Sequence, residues 1–228
     1  MNPAAWIRPD WPAPPGVHAF VTTRDIDFGA AARGREEILA RVPSTPRWMK
    51  QVHGASVADL DAPFSAPLTA DAAVTAAPET VAVVLTADCM PVLLCDDSGK
   101  RVGIAHAGWR GMAAGVIENT VHALDADPGR VIAWLGPAIG PQAFEVGEDV
   151  REAFMRVDGI AAAAFAPRGG GKYLADLYAL ARQRLARSGV TRVTGGGFCT
   201  FREPDRFFSY RRGGEPGRMG AFIWREAA

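Results

Sequence analysis

Two apolar runs lie close together in the chain, and they constrain its fold more than any other feature. The runs are Val81–Leu85 and Pro91–Leu94, and the segment TADCM, residues 86–90, separates them. Continuous apolar runs of this length are typical of strands buried on both faces, whereas half-exposed strands alternate apolar with polar residues. Helical patterns such as ADLYALARQRLARSG, residues 175–189, occur elsewhere. We therefore predict an α/β fold with mixed β-sheets flanked by helices, and we expect one domain over residues 1–228 because no break in composition divides the chain.

Composition excludes several classes of function. Of the 228 residues, 48% are hydrophobic and 22% are charged, which is typical of a globular protein and not of a disordered one. The formal net charge is zero, so no overall field attracts nucleic acid or an anionic membrane, and any anion must be bound locally. No apolar run approaches the roughly 20 residues that span a bilayer, and the N-terminal segment MNPAAWIRPDWPAPPG does not have the pattern of a secretory signal. Three cysteines are more typical of reduced thiols in the cytoplasm than of a disulfide scaffold.

The segment RVGIAHAGWRG, residues 101–111, begins as a buried strand and ends in a strand-to-helix corner with unusual chemistry. The following residues have helical spacing, so we predict one helix over about residues 111–124. The first turn of that helix would present free backbone N–H groups to an anion, and Arg110 would add a two-pronged guanidinium contact. Arg24 and Arg211 are further candidates for a phosphate contact, and a surface salt bridge is the alternative role for each arginine. Trp109 either stacks on a purine or belongs to the core.

Two histidines and one cysteine are candidate metal ligands, because each follows or ends a predicted strand. These residues are His53, Cys89 and His106. Imidazole nitrogen and thiolate sulfur are donors that zinc prefers, and three protein ligands leave a position open for catalysis. Their separations of 36 and 17 residues match no local zinc motif, so the residues alone also allow satisfied core side chains. Asp88 either orients one of the histidines or caps a turn, and His122 is interpreted as a structural residue on a helix.

The C-terminal third of the chain supplies further predicted strands. These are the segments TRVTGGGFCT, DRFFSYRR and GRMGAFIW, with Tyr210 of the second segment expected in the core. AAAAFAPRGGGK, residues 161–172, is predicted to be loosely structured. Cys95 and Cys199 are interpreted as packed residues.

Five segments together resemble one known family. WMKQVHGASV, LTADCMPVLL, IAHAGWRGMAAGV, LGPAIG and the C-terminal CT…FFSYRR…GRMGAFIW occur in the order found in the YfiH family, over about residues 17–224. That family is also labelled multicopper polyphenol oxidase or purine nucleoside phosphorylase. The resemblance implies an α/β fold shared with the cysteine-dependent deamidases of bacterial toxins. One departure is the compressed segment VTTRDIDFGAAARGREEIL, which keeps only Arg24 of the family pattern.

The resemblance also implies a site and an activity. It assigns His53, Cys89 and His106 as a catalytic metal site, usually described as zinc, with copper as an alternative occupant. The implied reaction is phosphorolysis of adenosine, inosine and methylthioadenosine, with adenosine deamination as a further activity. The implied partners are a purine nucleoside and phosphate, and the protein would be a monomer or a small homo-oligomer.

Counting ligands separates the competing chemistries. Four histidines are too few for a multicopper cluster, so we do not expect polyphenol oxidation. The H-x-E and P-C-x-x-C motifs of cytidine-deaminase-type enzymes do not occur. Two alternatives stay open. In one, a Cys89–His106 pair acts as nucleophile and base in a hydrolase or amidase, for example on a cell-wall nucleotide precursor. In the other, zinc only stabilises a protein that binds a partner.

Overall fold

The computed structural model describes residues 6–29, 34–63 and 68–227, and within them the strands form four sheets. Residues 30–33, part of the compressed segment noted above, lie outside the described residues. The strands are β1 Trp6–Ile7, β2 Val17–Thr22, β3 Met49–Lys50, β4 Val57–Asp59, β5 Leu68–Thr69, β6 Ala72–Thr75, β7 Ala82–Thr86, β8 Met90–Asp96, β9 Val102–Ala107, β10 Val131–Leu135, β11 Glu145–Gly147, β12 Phe165–Gly169, β13 Lys172–Ala175, β14 Arg192–Gly195 and β15 Met219–Arg225. The α-helices are α1 Gly34–Leu39, α2 Trp109–Ala113, α3 Val116–Ala123, α4 Glu148–Met155, α5 Leu177–Arg187 and α6 Tyr210–Gly213.

A six-stranded mixed sheet forms the centre of the molecule, in the order β14-β10-β8-β9-β6-β4. β8 and β9 pair antiparallel, while β10 with β14 and β4 with β6 pair parallel. Alternate residues of β8 enter different cores. Val92 and Leu94 pack on the side of α3 and α5, whereas Leu93 and Cys95 pack against the opposite layer. The prediction of strands buried on both faces is confirmed for β8, and the α/β class with it.

The opposite layer is a four-stranded sheet in the order β1-β2-β15-β7. Its inner face supplies residues such as Val21, Val84 and Ala221 to the core shared with the central sheet. Its outer face carries Phe20 and Phe222, which pack with the α1 side of the molecule. The two apolar runs of the sequence therefore belong to different sheets, and the TADC connection crosses from one layer to the other. No helix of the described residues is long and apolar enough to cross a membrane.

The predicted helix over 111–124 differs from the structure. The helical backbone begins at Trp109, and two short helices, α2 and α3, replace the single one. Gly115 lies between them with a φ of 94°, a left-handed conformation that glycine adopts without a steric penalty. The spacing of apolar residues predicted helical backbone correctly, but it did not predict the break.

Two C-terminal predictions were wrong. DRFFSYRR contains no strand, because the Ser209 hydroxyl accepts a hydrogen bond from the Arg212 N–H at 3.2 Å and caps α6. AAAAFAPRGGGK is regular and not loose: residues 159–164 form a 3₁₀-helix, and β12 pairs with β13 in a hairpin. Three consecutive glycines with positive φ form the turn of that hairpin: Gly169 ends β12, and Gly170 and Gly171 connect it to β13.

Candidate active site and metal centre

Three strand ends bring the predicted ligands together. His53 follows β3, Cys89 lies between β7 and β8, and His106 is the penultimate residue of β9. The side-chain donor atoms of all three lie within 4.8 Å of one another, and the two imidazole centroids are 4.8 Å apart. Residues separated by 36 and 17 positions therefore share one small volume. Within the described chain this is a group of side chains that can hold a metal ion.

The glycines of HAGWRG make this convergence possible. A Cβ atom on Gly108 would lie 2.7 Å from the Cys89 sulfur, which is closer than real Cβ contacts. A Cβ atom on Gly111 would lie 2.7 Å from the Gly54 carbonyl oxygen, in the loop that carries His53. Gly108 therefore leaves space for the thiol, and Gly111 lets the His53 loop approach α2. This explains the two glycines of the corner by close packing.

Asp71 organises two of the three candidate ligands. Its side chain is fully buried and accepts backbone N–H bonds from Val52, His53 and Gly54 at 3.1, 2.9 and 2.7 Å. The same carboxylate lies 2.9 Å from Nδ1 of His106, and the Asp71 carbonyl accepts the His106 N–H at 2.7 Å. These contacts hold His53 at a φ of 60°, a conformation that non-glycine residues rarely adopt. Asp71 thus fixes both the loop of His53 and the ring of His106.

Sequence reasoning missed Asp71 and considered Asp88 instead. The tripeptide TAD occurs twice, at residues 69–71 and 86–88, and this repetition was an available signal. Asp88 binds neither histidine. Its carboxylate accepts hydrogen bonds from the Thr200 and Ser209 hydroxyls at 2.6 and 3.0 Å and from the Arg211 N–H at 2.7 Å. Asp88 therefore attaches the C-terminal segment, including α6, next to Cys89.

Hydrogen bonds and charges set the protonation of the cluster. Burial raises the pKa of Cys89, but hydrogen bonds and charge from His106 and His53 outweigh it and lower that pKa to about 6. Burial lowers the pKa of His106, while hydrogen bonds to Asp71 and Cys89 raise it to about 9. Burial raises the pKa of Asp71, but hydrogen bonds from His106 and the backbone lower it to about 2. At neutral pH the cluster therefore offers a thiolate, which is the form that binds metal and acts as a nucleophile.

The arrangement satisfies the requirements of a metal site. Because Nδ1 of His106 faces the Asp71 carboxylate, Nε2 is the atom left to bind a metal, as in carboxylate–histidine–metal triads. Two imidazoles and one thiolate form a donor set suited to zinc or another borderline transition metal. Three protein ligands leave one coordination position for water or substrate.

A cavity of about 660 Å³ opens beside the cluster, and the three cluster residues contribute to its wall. An apolar part of the wall comes from Met49, Leu85, Ala87, Ile139 and Phe144. Three arginines, Arg110, Arg211 and Arg218, form its cationic part. None of these arginines forms an ion pair with a carboxylate of the described residues. A cavity of this size with unpaired cations and an apolar wall suits a small anionic or partly aromatic ligand.

Two of the cavity arginines lie against aromatic rings. The Arg110 guanidinium is 4.5 Å from the Trp109 ring centroid, and that of Arg211 is 5.3 Å from the Phe144 centroid. Arg211 also donates from Nη1 to the Glu145 carbonyl at 2.7 Å. Stacking restricts each guanidinium plane and leaves edge N–H groups for a ligand.

The remaining predicted arginine lies elsewhere. Arg24 is not among the described residues that line the cavity. Its guanidinium donates to the Pro204 carbonyl, lies 5.0 Å from the Phe208 ring centroid and approaches Glu215 at 3.8 Å. Arg218 lines the cavity where Arg24 was expected, and sequence reasoning missed it. Arg218 precedes β15 in a glycine-containing loop, and nothing local in the sequence distinguishes it from other surface arginines.

Tyr210 also differs from its prediction. It was expected in the core, but it is 63% exposed and lines the cavity. The cause is the capped turn at Ser209, because α6 turns residue 210 away from the core that Phe207 occupies.

The fold and the site define a mixed α/β protein whose strand ends carry a His-Cys-His group beside an arginine-lined cavity. The chain belongs to the family described as multi-copper polyphenol oxidoreductase laccase, whose model matches residues 27–226.

Relatives and solved structures agree with that membership. A purine nucleoside phosphorylase of Pseudomonas aeruginosa is 46% identical, and the purine nucleoside phosphorylase YfiH of Escherichia coli is 48% identical. Each alignment covers 96% of this chain and 98% of the relative. A crystal structure of a Neisseria meningitidis protein has a TM-score of 0.93 at 42% identity, over 98% of this chain and 100% of that chain. YlmD of Geobacillus stearothermophilus has a TM-score of 0.85 at 25% identity, over 100% of this chain and 98% of that chain. The resemblance that the motifs indicated is confirmed.

Proposed function

We propose that this protein is a zinc-dependent purine nucleoside phosphorylase. The observation that carries the proposal is the sharing of one cavity by the His53–Cys89–His106 cluster and three arginines without carboxylate partners. The names of the relatives support the same reaction class. The proposed substrates are adenosine, inosine and methylthioadenosine with inorganic phosphate, and adenosine deamination is a proposed further activity of the site.

In phosphorolysis a phosphate oxygen forms a bond to the anomeric carbon of the ribose while the bond to the purine nitrogen breaks. Arg110 and Arg211 are the proposed phosphate ligands, with Arg218 as a third candidate, because charge-assisted N–H contacts bind and orient an oxyanion. We leave Arg24 out of the phosphate site, since it is not among the described residues that line the cavity. Bound zinc would supply Lewis-acid polarisation of an oxygen atom at its open position. Asp71 would keep His106 oriented throughout.

Ligand number argues against the oxidase activity in the family description. The chain has four histidines, and two of them, His18 and His122, are not in the cluster. His18 lies 2.9 Å from Glu226 and stacks on Trp224, and His122 is exposed on α3. A multicopper cluster needs several imidazoles for each copper. The proposed site holds one ion, with zinc as the expected occupant and copper as the alternative.

The Cys89–His106 pair favours a second candidate function. With a thiol pKa of about 6 beside a histidine pKa of about 9, the metal-free pair would be a thiolate–imidazolium nucleophile. Such a pair is the equipment of a cysteine hydrolase or amidase, for which a cell-wall nucleotide precursor is one proposed substrate. Metal content separates the two functions, because zinc occupying the thiolate prevents its use as a nucleophile.

The test is to incubate protein of measured metal content with inosine, with and without phosphate. Phosphorolysis predicts ribose 1-phosphate and hypoxanthine only when phosphate is present. Free ribose, or no product from zinc-loaded protein, would refute the proposal. Activity of metal-free protein that disappears on thiol alkylation would favour the hydrolase. We also expect a cytoplasmic location, because the three cysteines are free thiols.

A further inference from the structure

The cavity wall includes one aromatic side chain without a hydrogen bond, ring stack or cation–π contact to a described residue. Tyr210 is 63% exposed, although large apolar side chains at a cavity usually pack against neighbours. Within the described residues its ring stacks on no other ring or guanidinium, and its hydroxyl forms no hydrogen bond. A free aromatic ring at the edge of a ligand-sized cavity is available to a ligand.

The other aromatic rings of the cavity are already occupied. Trp109 is half-buried against the helical core and carries Arg110 at 4.5 Å. Phe144 is 6% exposed and carries Arg211 at 5.3 Å. The rings of His53 and His106 meet edge to face in the candidate metal site. Tyr210 is the remaining aromatic ring of the described cavity wall, and it is 63% exposed.

The backbone holds Tyr210 at a defined place relative to the cluster. Ser209, on its N-terminal side, is fully buried and donates to the Asp88 carboxylate at 3.0 Å. Arg211, on its C-terminal side, donates its backbone N–H to the same carboxylate at 2.7 Å. Asp88 is next to Cys89 in the chain, so Tyr210 lies between two residues that bond to the neighbour of a cluster residue. The side chain is exposed but its backbone is anchored.

We propose that Tyr210 stacks on the purine base of the nucleoside. By this contact Tyr210 would make the cavity prefer nucleosides to sugar phosphates that carry no base. This inference rests on the proposed function, because it names the base-binding residue of that same site. Stacking on a π-face accepts any purine, and it is consistent with a protein that takes both adenosine and inosine. Consecutive residues of α6 would then contact the two reactants, with Tyr210 on the base and Arg211 on the phosphate.

The experiment compares Tyr210→Ala and Tyr210→Phe with the wild-type protein by calorimetric titration, with inosine, adenosine and ribose 1-phosphate as probes. Tyr210→Ala should weaken inosine and adenosine binding by the same factor, about tenfold, because each base loses one stacking partner. Ribose 1-phosphate has no base, so its affinity should stay within about twofold. Tyr210→Phe keeps the ring and should bind like the wild type. Ile160→Ala, which truncates a side chain 62% exposed outside the cavity wall, is the matched control.

Equal losses for inosine and ribose 1-phosphate, or a Tyr210→Phe variant as weak as Tyr210→Ala, would overturn the proposal. Unchanged inosine affinity in Tyr210→Ala would overturn it as well. Binding and turnover are separate measurements, so the two proposals fail in different ways. If the wild type binds inosine without forming ribose 1-phosphate, the phosphorylase assignment fails while the titrations still decide the role of Tyr210. If the wild type does not bind inosine, stacking on the base is refuted directly.

Discussion

Charged residues lie at both ends of the β8–β9 hairpin, but only those at one end form ion pairs. The closed end is the turn between Asp96 and Val102, and the open end is where β8 begins and β9 ends. At the closed end, Asp97 pairs with Arg130 at 2.8 Å and with Arg192 at 3.3 Å, and Arg101 pairs with Asp125 at 3.0 Å. At the open end, Arg110 and Arg211 face a cavity without any ion pair in the described chain. Charged side chains that remain unpaired around a cavity are available to bind a ligand. Surface charges that pair with each other contribute little to the free energy of unfolding.

The aspartates of the two ends differ in the same way. Asp96 accepts hydrogen bonds from the N–H groups of Ser98 and Arg101, which lie two and five residues away in the same turn. Asp71 accepts from a loop 17 to 19 residues away and from His106, 35 residues away. A local carboxylate bond stabilises a turn, while a long-range one positions two ligands against each other. Substitutions matched between the two ends therefore test which contacts serve function.

The largest expected effect is the loss of a metal ligand. His106→Ala removes a buried imidazole of the cluster, so bound metal and turnover should both fall to background. His122→Ala removes an exposed imidazole from α3, and both quantities should stay near those of the wild type. Inductively coupled plasma mass spectrometry of the purified variants measures bound metal, and the inosine assay measures turnover. Similar behaviour of the two variants would refute the assigned site.

The two thiols at the ends of β8 should differ in reactivity by orders of magnitude once metal is removed. Cys89 lines the cavity with a pKa of about 6, whereas Cys95 is fully buried and its pKa is raised by burial to about 12. Because thiolate is the reactive form, alkylation of Cys89 should accelerate as the pH rises through about 6 and then level off. Mass spectrometry of chelator-treated protein after iodoacetamide measures both sites. Modification of Cys95 at the rate of Cys89 would contradict the assignment, and zinc should protect Cys89.

The third effect concerns the matched aspartates. Asp71→Asn replaces two acceptor oxygens with one and places an amide NH₂ group against N–H donors, so metal affinity should fall about 10- to 100-fold. Asp96→Asn changes the equivalent turn at the other end of β8 and should leave metal affinity unchanged. Competition with a zinc chelator of known affinity measures both variants. Equal losses of zinc affinity would show that Asp71 only stabilises the fold.

The smallest effect is that of one cavity arginine. Arg110→Ala removes an exposed and unpaired guanidinium, and the KM for phosphate should rise roughly tenfold, since one charge-assisted hydrogen bond is worth about 1.5 kcal/mol or more. Arg130→Ala removes a paired arginine from the closed end and should not change that KM. Steady-state assays at varied phosphate and saturating inosine measure both. If the two variants match, the unpaired charge does not bind phosphate.

Local patterns predicted the elements that depend on neighbouring residues. The continuous apolar runs predicted β7 and β8, and the helical spacing after HAGWRG predicted helical backbone. The ordered motifs identified the family and the positions of His53, Cys89 and His106. Prediction failed where a distant side chain decides local structure. Asp88 accepts the hydrogen bonds that hold Ser209 and α6. The local pattern of DRFFSYRR does not include that contact, and it therefore predicted a strand.

The sequence by itself determined the class of fold and the chemical identity of the candidate donors, because hydrophobic pattern and side-chain type are properties of short segments. The tertiary structure alone decided that the two apolar runs belong to separate sheets and that Asp71 is the carboxylate beside His106. It also decided that Arg218 and Tyr210 face the cavity while Arg24 does not. The physical reason is that these relations depend on strand register and layer packing, which join residues far apart in the chain, and no local pattern records such pairings.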